Sequence, residues 1–230
     1  MFSLGLMKRV VFFCCGMLVV LSSCVNTKPL TSAVLPEEVR DIQKFETISK
    51  ITFIEQGNQG DFNERMSAEA KGIFTDLLTS YKEIPIAGKI SVTDTVLQNQ
   101  LEKEIQFLCS VAAIRRSIKE LKITPLLDSL LETGGHRFGL LTITTGFTRS
   151  KANYRAQVLE GAATGLLTLG MYSQTPIRAS SSVYAMIVDA QDENIAFFKV
   201  SYLQDEEPLE REVYKGHIIK IFQGYFLPKE

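Results

Sequence analysis

The sequence predicts an α/β (α+β) sandwich: a single mixed sheet with helices packed on it, ending in a β-hairpin followed by a terminal helix. Three observations lead there. Runs rich in β-branched and aromatic residues (Ser49–Glu55, Phe138–Thr145, Ser182–Asp189, Ile195–Tyr202) are interspersed with stretches whose apolar residues recur every three or four positions. Phe138–Thr145 is apolar on both faces, Leu141 and Ile143 on one and Phe138 and Leu140 on the other, as a strand covered from both sides must be. The last two runs flank the polar turn Ala190-Gln191-Asp192-Glu193-Asn194, which makes them a hairpin.

Each element has a local reason. After the strand Ser49–Glu55 comes a turn over Gln56–Gly60, and Asp61 or Asn63 caps a helix that lines up Met66, Ala70, Ile73, Phe74, Leu77, Leu78 and Tyr81 on one face. Pro85–Gly88 ends it, and Lys89–Val92 reads as a short strand. Thr93-Asp94 caps a second helix over Thr95–Arg116, with a stripe of Val96, Leu97, Leu101, Ile105, Leu108 and Ala112. A third, Pro125–Glu132, is closed by Gly134-Gly135. Pro208, with acidic neighbours, opens a last helix from Leu209 to Phe222.

The amino terminus reads as an address. Lys8-Arg9 precedes Val10–Leu21, an uncharged apolar run of 12 residues. A membrane-spanning helix needs about 20, so the run has the length of a secretory signal. Residues 1–23 form that signal, with Met7 as a possible alternative start. Leu21-Ser22-Ser23-Cys24 resembles the lipobox of bacterial lipoproteins. The resemblance implies that the Cys24 thiol takes a diacylglyceryl group, that the chain is cut before it, and that the new amine is acylated. Two or more chains hold a protein stably in a membrane. Val25 stands where the inner-membrane retention signal has Asp, which favours the outer membrane of a Gram-negative envelope. Residues 24–40 read as the lipidated cysteine and a tether, with two prolines and no helical or strand period, and 41–230 as one domain.

Removing 23 residues from 230 leaves 207, enough for one domain with a full core. The leader holds two of the 25 basic residues and none of the 26 acidic ones, so the remainder has a net charge of −3 and no polybasic patch, which argues against nucleic-acid partners. Cys14 and Cys15 leave with the leader, so Cys109 is the one thiol left besides Cys24; among Phe107, Leu108, Val111 and Ala112 it reads as core. His136 and His217 are far apart in sequence, and no spacing of ligands suggests a metal. No glycine loop of either common type proposes a nucleotide or other cofactor, and the carboxylate pairs lie in charge-rich surface segments. The expectation is a protein that is not an enzyme, with the alternative of an envelope hydrolase whose site is assembled from distant residues.

The segment Gly146–Ala179 stands apart. Arg149, Lys151 and Arg155 interleave with Phe147 and Tyr154, and an apolar, small-residue stretch follows, with Gly161, Gly165 and Gly170. Gly161 and Gly165 are four apart and would form a flat groove on a helix. Three readings compete: a helix packed on the sheet, a docking or self-association surface, and a membrane-inserting element as in a secretion pore. At about 15 residues, with Glu160 inside, it is too short to span a bilayer as a helix.

Val183-Tyr184-Ala185-Met186-Ile187-Val188-Asp189, a polar turn, then Ile195-Ala196-Phe197-Phe198 resembles the terminal hairpin of periplasmic lipoproteins of the CsgG/LpoB type. There an apolar strand ends in Asp and the return strand carries an aromatic. The glycine usual in that turn and the tryptophan after it are replaced here by Asn194 and by Phe197 or Phe198. The resemblance implies a non-catalytic accessory lipoprotein that binds an envelope protein or further copies of itself; the other alternative is an oligomeric secretion or channel component.

Overall fold

A computed structural model describes residues 28–169, 171 and 175–229. The described residues form a mixed eight-stranded sheet with five α-helices. In order, the strands are β1 (Leu30–Thr31), β2 (Ile42–Lys44), β3 (Ile48–Ile54), β4 (Asp61–Phe62), β5 (Ile86–Lys89), β6 (Phe138–Arg149), β7 (Ala179–Asp189) and β8 (Asn194–Gln204). The helices are α1 (Glu64–Ser80), α2 (Thr95–Ile114), α3 (Pro125–Thr133), α4 (Lys151–Leu167) and α5 (Arg211–Phe222).

β6 is the spine. β7 pairs with it antiparallel from Phe138↔Asp189 to Thr148↔Ala179, and β8 continues the meander. On its other edge, β2 and β3 pair with it in tandem and parallel, β2 at Gly139 and Leu140 and β3 from Ile143 to Arg149. The two strands are one chain path interrupted at Phe45–Thr47, where Phe45 turns into the core.

The alternation along β6 separates two cores. Phe138 and Leu140 join Val183, Ala185, Ile187 and Phe197 under α1 and α5, whose Phe74 and Tyr214 rings meet edge to face at 5.6 Å. Leu141 and Ile143 join Met186, Val188, Ile195 and Phe198 under α2 and α3. Both faces of the sheet are covered, as the doubly apolar β6 requires. Cys109 is buried in the second core, where desolvation pushes its thiol up to about 12, so it is not a thiolate nucleophile at neutral pH.

Capping side chains set the helix starts. Asn63 Oδ1 accepts from Met66 N at 3.0 Å, Asp94 Oδ1 from Leu97 N at 2.8 Å, and Ser150 Oγ from Asn153 N at 3.1 Å. Asp189 closes β7 for a tertiary reason. Its buried carboxylate accepts a bidentate pair from Arg137, Nε at 3.0 Å and Nη2 at 2.8 Å, and also caps Gln191 N at 3.0 Å.

Several boundaries differ from the sequence reading. The segment read as a tether over 24–40 is folded in large part: β1 pairs with β8 (Leu30↔Phe198, Thr31↔Phe197), Ser32 N donates to Ala196 O, and Val34 and Val39 are buried. The strand placed at Lys89–Val92 lies at Ile86–Lys89, where it pairs with β2. Val96, assigned to the apolar stripe of α2, faces solvent, and α5 begins at Arg211 because Pro208 and Leu209 form a separate turn before it. β6 runs on past Thr145 to Arg149 and takes up the start of the segment read as a connection. The signal, Cys24 and Gly170 lie outside the described residues.

Candidate functional site

The unusual segment leaves the sheet at the carboxyl end of β6. Gly146, three residues before that end, lets β6 and β7 approach closely, since a Cβ there would stand 2.3 Å from the Ser180 carbonyl oxygen of β7. Three residues later Arg149 binds the surrounding chain together. Its Nε donates to Ile177 O at 2.9 Å, Nη1 to Gly57 O at 2.8 Å and Asn153 Oδ1 at 2.9 Å, and Nη2 to Asn58 Oδ1 at 2.9 Å. The guanidinium also lies over the Phe147 ring at 5.7 Å. Arg149 thus brackets the β3–β4 turn, the start of α4 and the chain returning to β7. It works inward, not as an open anion receptor.

α4 is built inside out. The side turned to the body carries Asn153, Tyr154, Gln157, Gly161, Thr164, Gly165 and Thr168, polar or small and buried or half-buried. The side turned to solvent carries Val158, Leu159, Ala162, Ala163, Leu166 and Leu167, together with Lys151, Arg155 and Glu160. Leu159 is 70% exposed and Leu167 85%; just beyond the helix Leu169 is 90% and Met171 87% exposed. A helix that completed a core would show the opposite arrangement. No residue of α4 belongs to either core. Gly161 and Gly165 therefore face the body, where Gly161 lines a cleft, and the leucines have no packing partner in either core among the described residues. Lys151 and Arg155 are exposed at the head of the helix.

The cleft under α4 measures about 730 Å³ and is lined by, among others, Phe147, Arg149, Gln157, Glu160 and Gly161. Among the described residues that line it, the ionisable groups are the committed Arg149 and the carboxylate of Glu160, with neither histidine nor cysteine. His217 is elsewhere, in the core. Its Nδ1 lies 2.8 Å from Ser201 Oγ and its Nε2 2.9 Å from Ser181 Oγ, and all three residues are buried. Burial, and secondarily the charge of Lys220, lowers the imidazole to about 4, so it is neutral at physiological pH. The Ser–His geometry of a nucleophilic site is present without a carboxylate partner and without solvent access. His136, half-exposed, lies against Gly134 in the turn between α3 and β6.

Among the described residues no group of histidine, cysteine and carboxylate side chains could hold a metal ion, and no helix is long and apolar enough to cross a membrane. The glycine spacing suggested a flat groove; in the structure Gly161 and Gly165 are turned to the body, Leu159 and Leu166 stack on the exposed side, and Val158 and Leu167 lie on its two flanks.

No family model and no curated protein sequence matches the chain. Solved structures with distant similarity include the PelC dodecamer of Paraburkholderia phytofirmans, at 8% identity and a TM-score of 0.36, covering 88% of this chain and 97% of that one. A point variant of that PelC gives 8% and 0.37, over 87% and 98%. The LpoB C-terminal domain of Salmonella enterica gives 8% and 0.29, over 72% of this chain and 85% of that one.

Proposed function

We propose that this is a lipid-anchored protein of the cell envelope, held in the outer membrane through Cys24, that works by docking rather than by catalysis. The outward face of α4 is its contact surface with an envelope component. The inverted polarity of α4 carries the reading: folding leaves the apolar residues of one helix in water, on a domain whose sheet is otherwise covered on both faces. The leader and the Leu21–Cys24 motif support the anchor. The cleft chemistry supports docking over hydrolysis, since among the described residues that line it Glu160 is the one uncommitted ionisable group.

A photo-crosslinking residue placed at Leu166 in the full chain tests the contact in living cells. The expected result is adduct formation with an envelope component at Leu166 and none at Lys122, an exposed position beside the β7–β8 turn. Equal labelling at the two positions would contradict the reading.

A further inference from the structure

The strand register fixes where the lipid anchor lies relative to the exposed helix. β1 is antiparallel to β8, so from Leu30 to Thr31 the chain moves from Phe198 towards Phe197. Upstream of Leu30 it must therefore leave the sheet towards Gln204. The same end holds Arg149 of β6 and Ala179 of β7, between which α4 is inserted. Six residue steps separate Cys24 from Leu30 and can span at most about 20 Å. Six steps of strand from Phe198 to Gln204 cover about the same distance. Residues 28 and 29 thus head towards the α4 end, and a chain continuing in that direction brings the sulfur of Cys24 within reach of it.

We infer that the apolar face of α4 lies in the interfacial layer of the membrane that holds the acyl chains, so that the domain stands on the bilayer at two points. The inference rests on the lipid-anchor reading and names the component that α4 meets. Leu159 and Leu166 stack on the exposed side of α4, Val158 and Leu167 lie on its flanks, and Leu169 follows just beyond. Lys151 and Arg155 stand on the same side near its start, so that leucines and cations together face outward as at a membrane interface. Leu169 holds this exposed position at a φ of +52°, where glycine is the usual residue. Phe62 of β4, 61% exposed, pairs with Thr52 and so stands level with Phe147, near the same end. Acidic Glu55, Asp61, Asp205 and Glu206 at this end offset the two basic groups, which leaves apolar contact as the main attraction.

The test uses the full chain, processed in cells and reconstituted into vesicles of phosphatidylethanolamine and phosphatidylglycerol at 3:1, with an environment-sensitive fluorophore on Leu166→Cys or, as control, Lys122→Cys. The native Cys109 is buried and does not compete for label. Intact mass first reports the acyl chains on Cys24. With acylation present, lipids carrying a nitroxide near the headgroup should quench the Leu166→Cys label at least twofold and leave the Lys122→Cys label unchanged. Equal quenching at both positions overturns the inference and leaves the anchor standing. A Leu166→Cys label shielded from aqueous quencher but untouched by nitroxide lipid also overturns it, in favour of a second copy or another protein. An unacylated Cys24 overturns anchor and inference together.

Discussion

His217 is a neutral imidazole held between two serine hydroxyls in a closed core. Its folded pKa of about 4 lies below the ordinary 6.5, so below pH 6.5 the unfolded chain binds a proton that the native chain refuses. Stability is therefore full above pH 6.5 and falls as the pH drops towards 4, by roughly 3 kcal/mol in all and about 2 kcal/mol by pH 5. Urea denaturation at pH 7 and pH 5 should show that loss, and His217→Gln should reduce it; a wild-type midpoint unchanged between the two pH values contradicts the assignment. Gly146→Ala drives a methyl into the Ser180 carbonyl and should cost about 3 kcal/mol by thermal or chemical unfolding. A substitution tolerated within ~0.5 kcal/mol would mean that β6 and β7 are farther apart there. Single residues were only partly legible in the sequence. Asp189 announces the end of a strand, but its partner Arg137 is 52 positions away, and nothing local pairs them. Likewise, nothing around His217 says that two serines from neighbouring strands complete its hydrogen bonds.

The elements legible in advance are those whose signal is periodic and long. α1, α2 and α3 follow from apolar spacing and caps, and β6 from its doubly apolar pattern. β1 and β2, of two and three residues, carry no period and exist only because β8 and β6 offer them edges. α4 is the instructive case. Its apolar residues form no stripe turned to a core; polar and small residues take the side against the body, and the leucines are left on the exposed half among Lys151, Arg155 and Glu160. Two outcomes follow from its geometry. Replacing Leu169 by Gly relieves a left-handed conformation and should stabilise the isolated fold by about 1 kcal/mol, read as a higher unfolding midpoint. Leu159→Glu with Leu166→Glu should leave that midpoint within ~0.5 kcal/mol, since neither side chain is in a core, while weakening attachment to vesicles. A large loss of stability in the double variant would place these leucines inside the fold.

The molecule as a whole has two unlike ends. At one, the β7–β8 turn is closed by the Arg137–Asp189 pair; at the other, α4 and the residues just before β1 leave the sheet together. The fold class was readable because β-rich runs and amphipathic helices leave only a covered mixed sheet as a compact solution. The polarity of the ends was not, because it depends on the antiparallel register of a two-residue strand. That polarity matters only if Cys24 carries lipid. Cells grown with labelled palmitate, carrying either the wild-type chain or Cys24→Ser, give the most direct test. The wild-type protein should incorporate label and sediment with the outer membrane, whereas Cys24→Ser should carry no label and be recovered at least tenfold more in the soluble envelope fraction. A wild-type chain without label, or a serine variant with undiminished membrane retention, would contradict the anchored state.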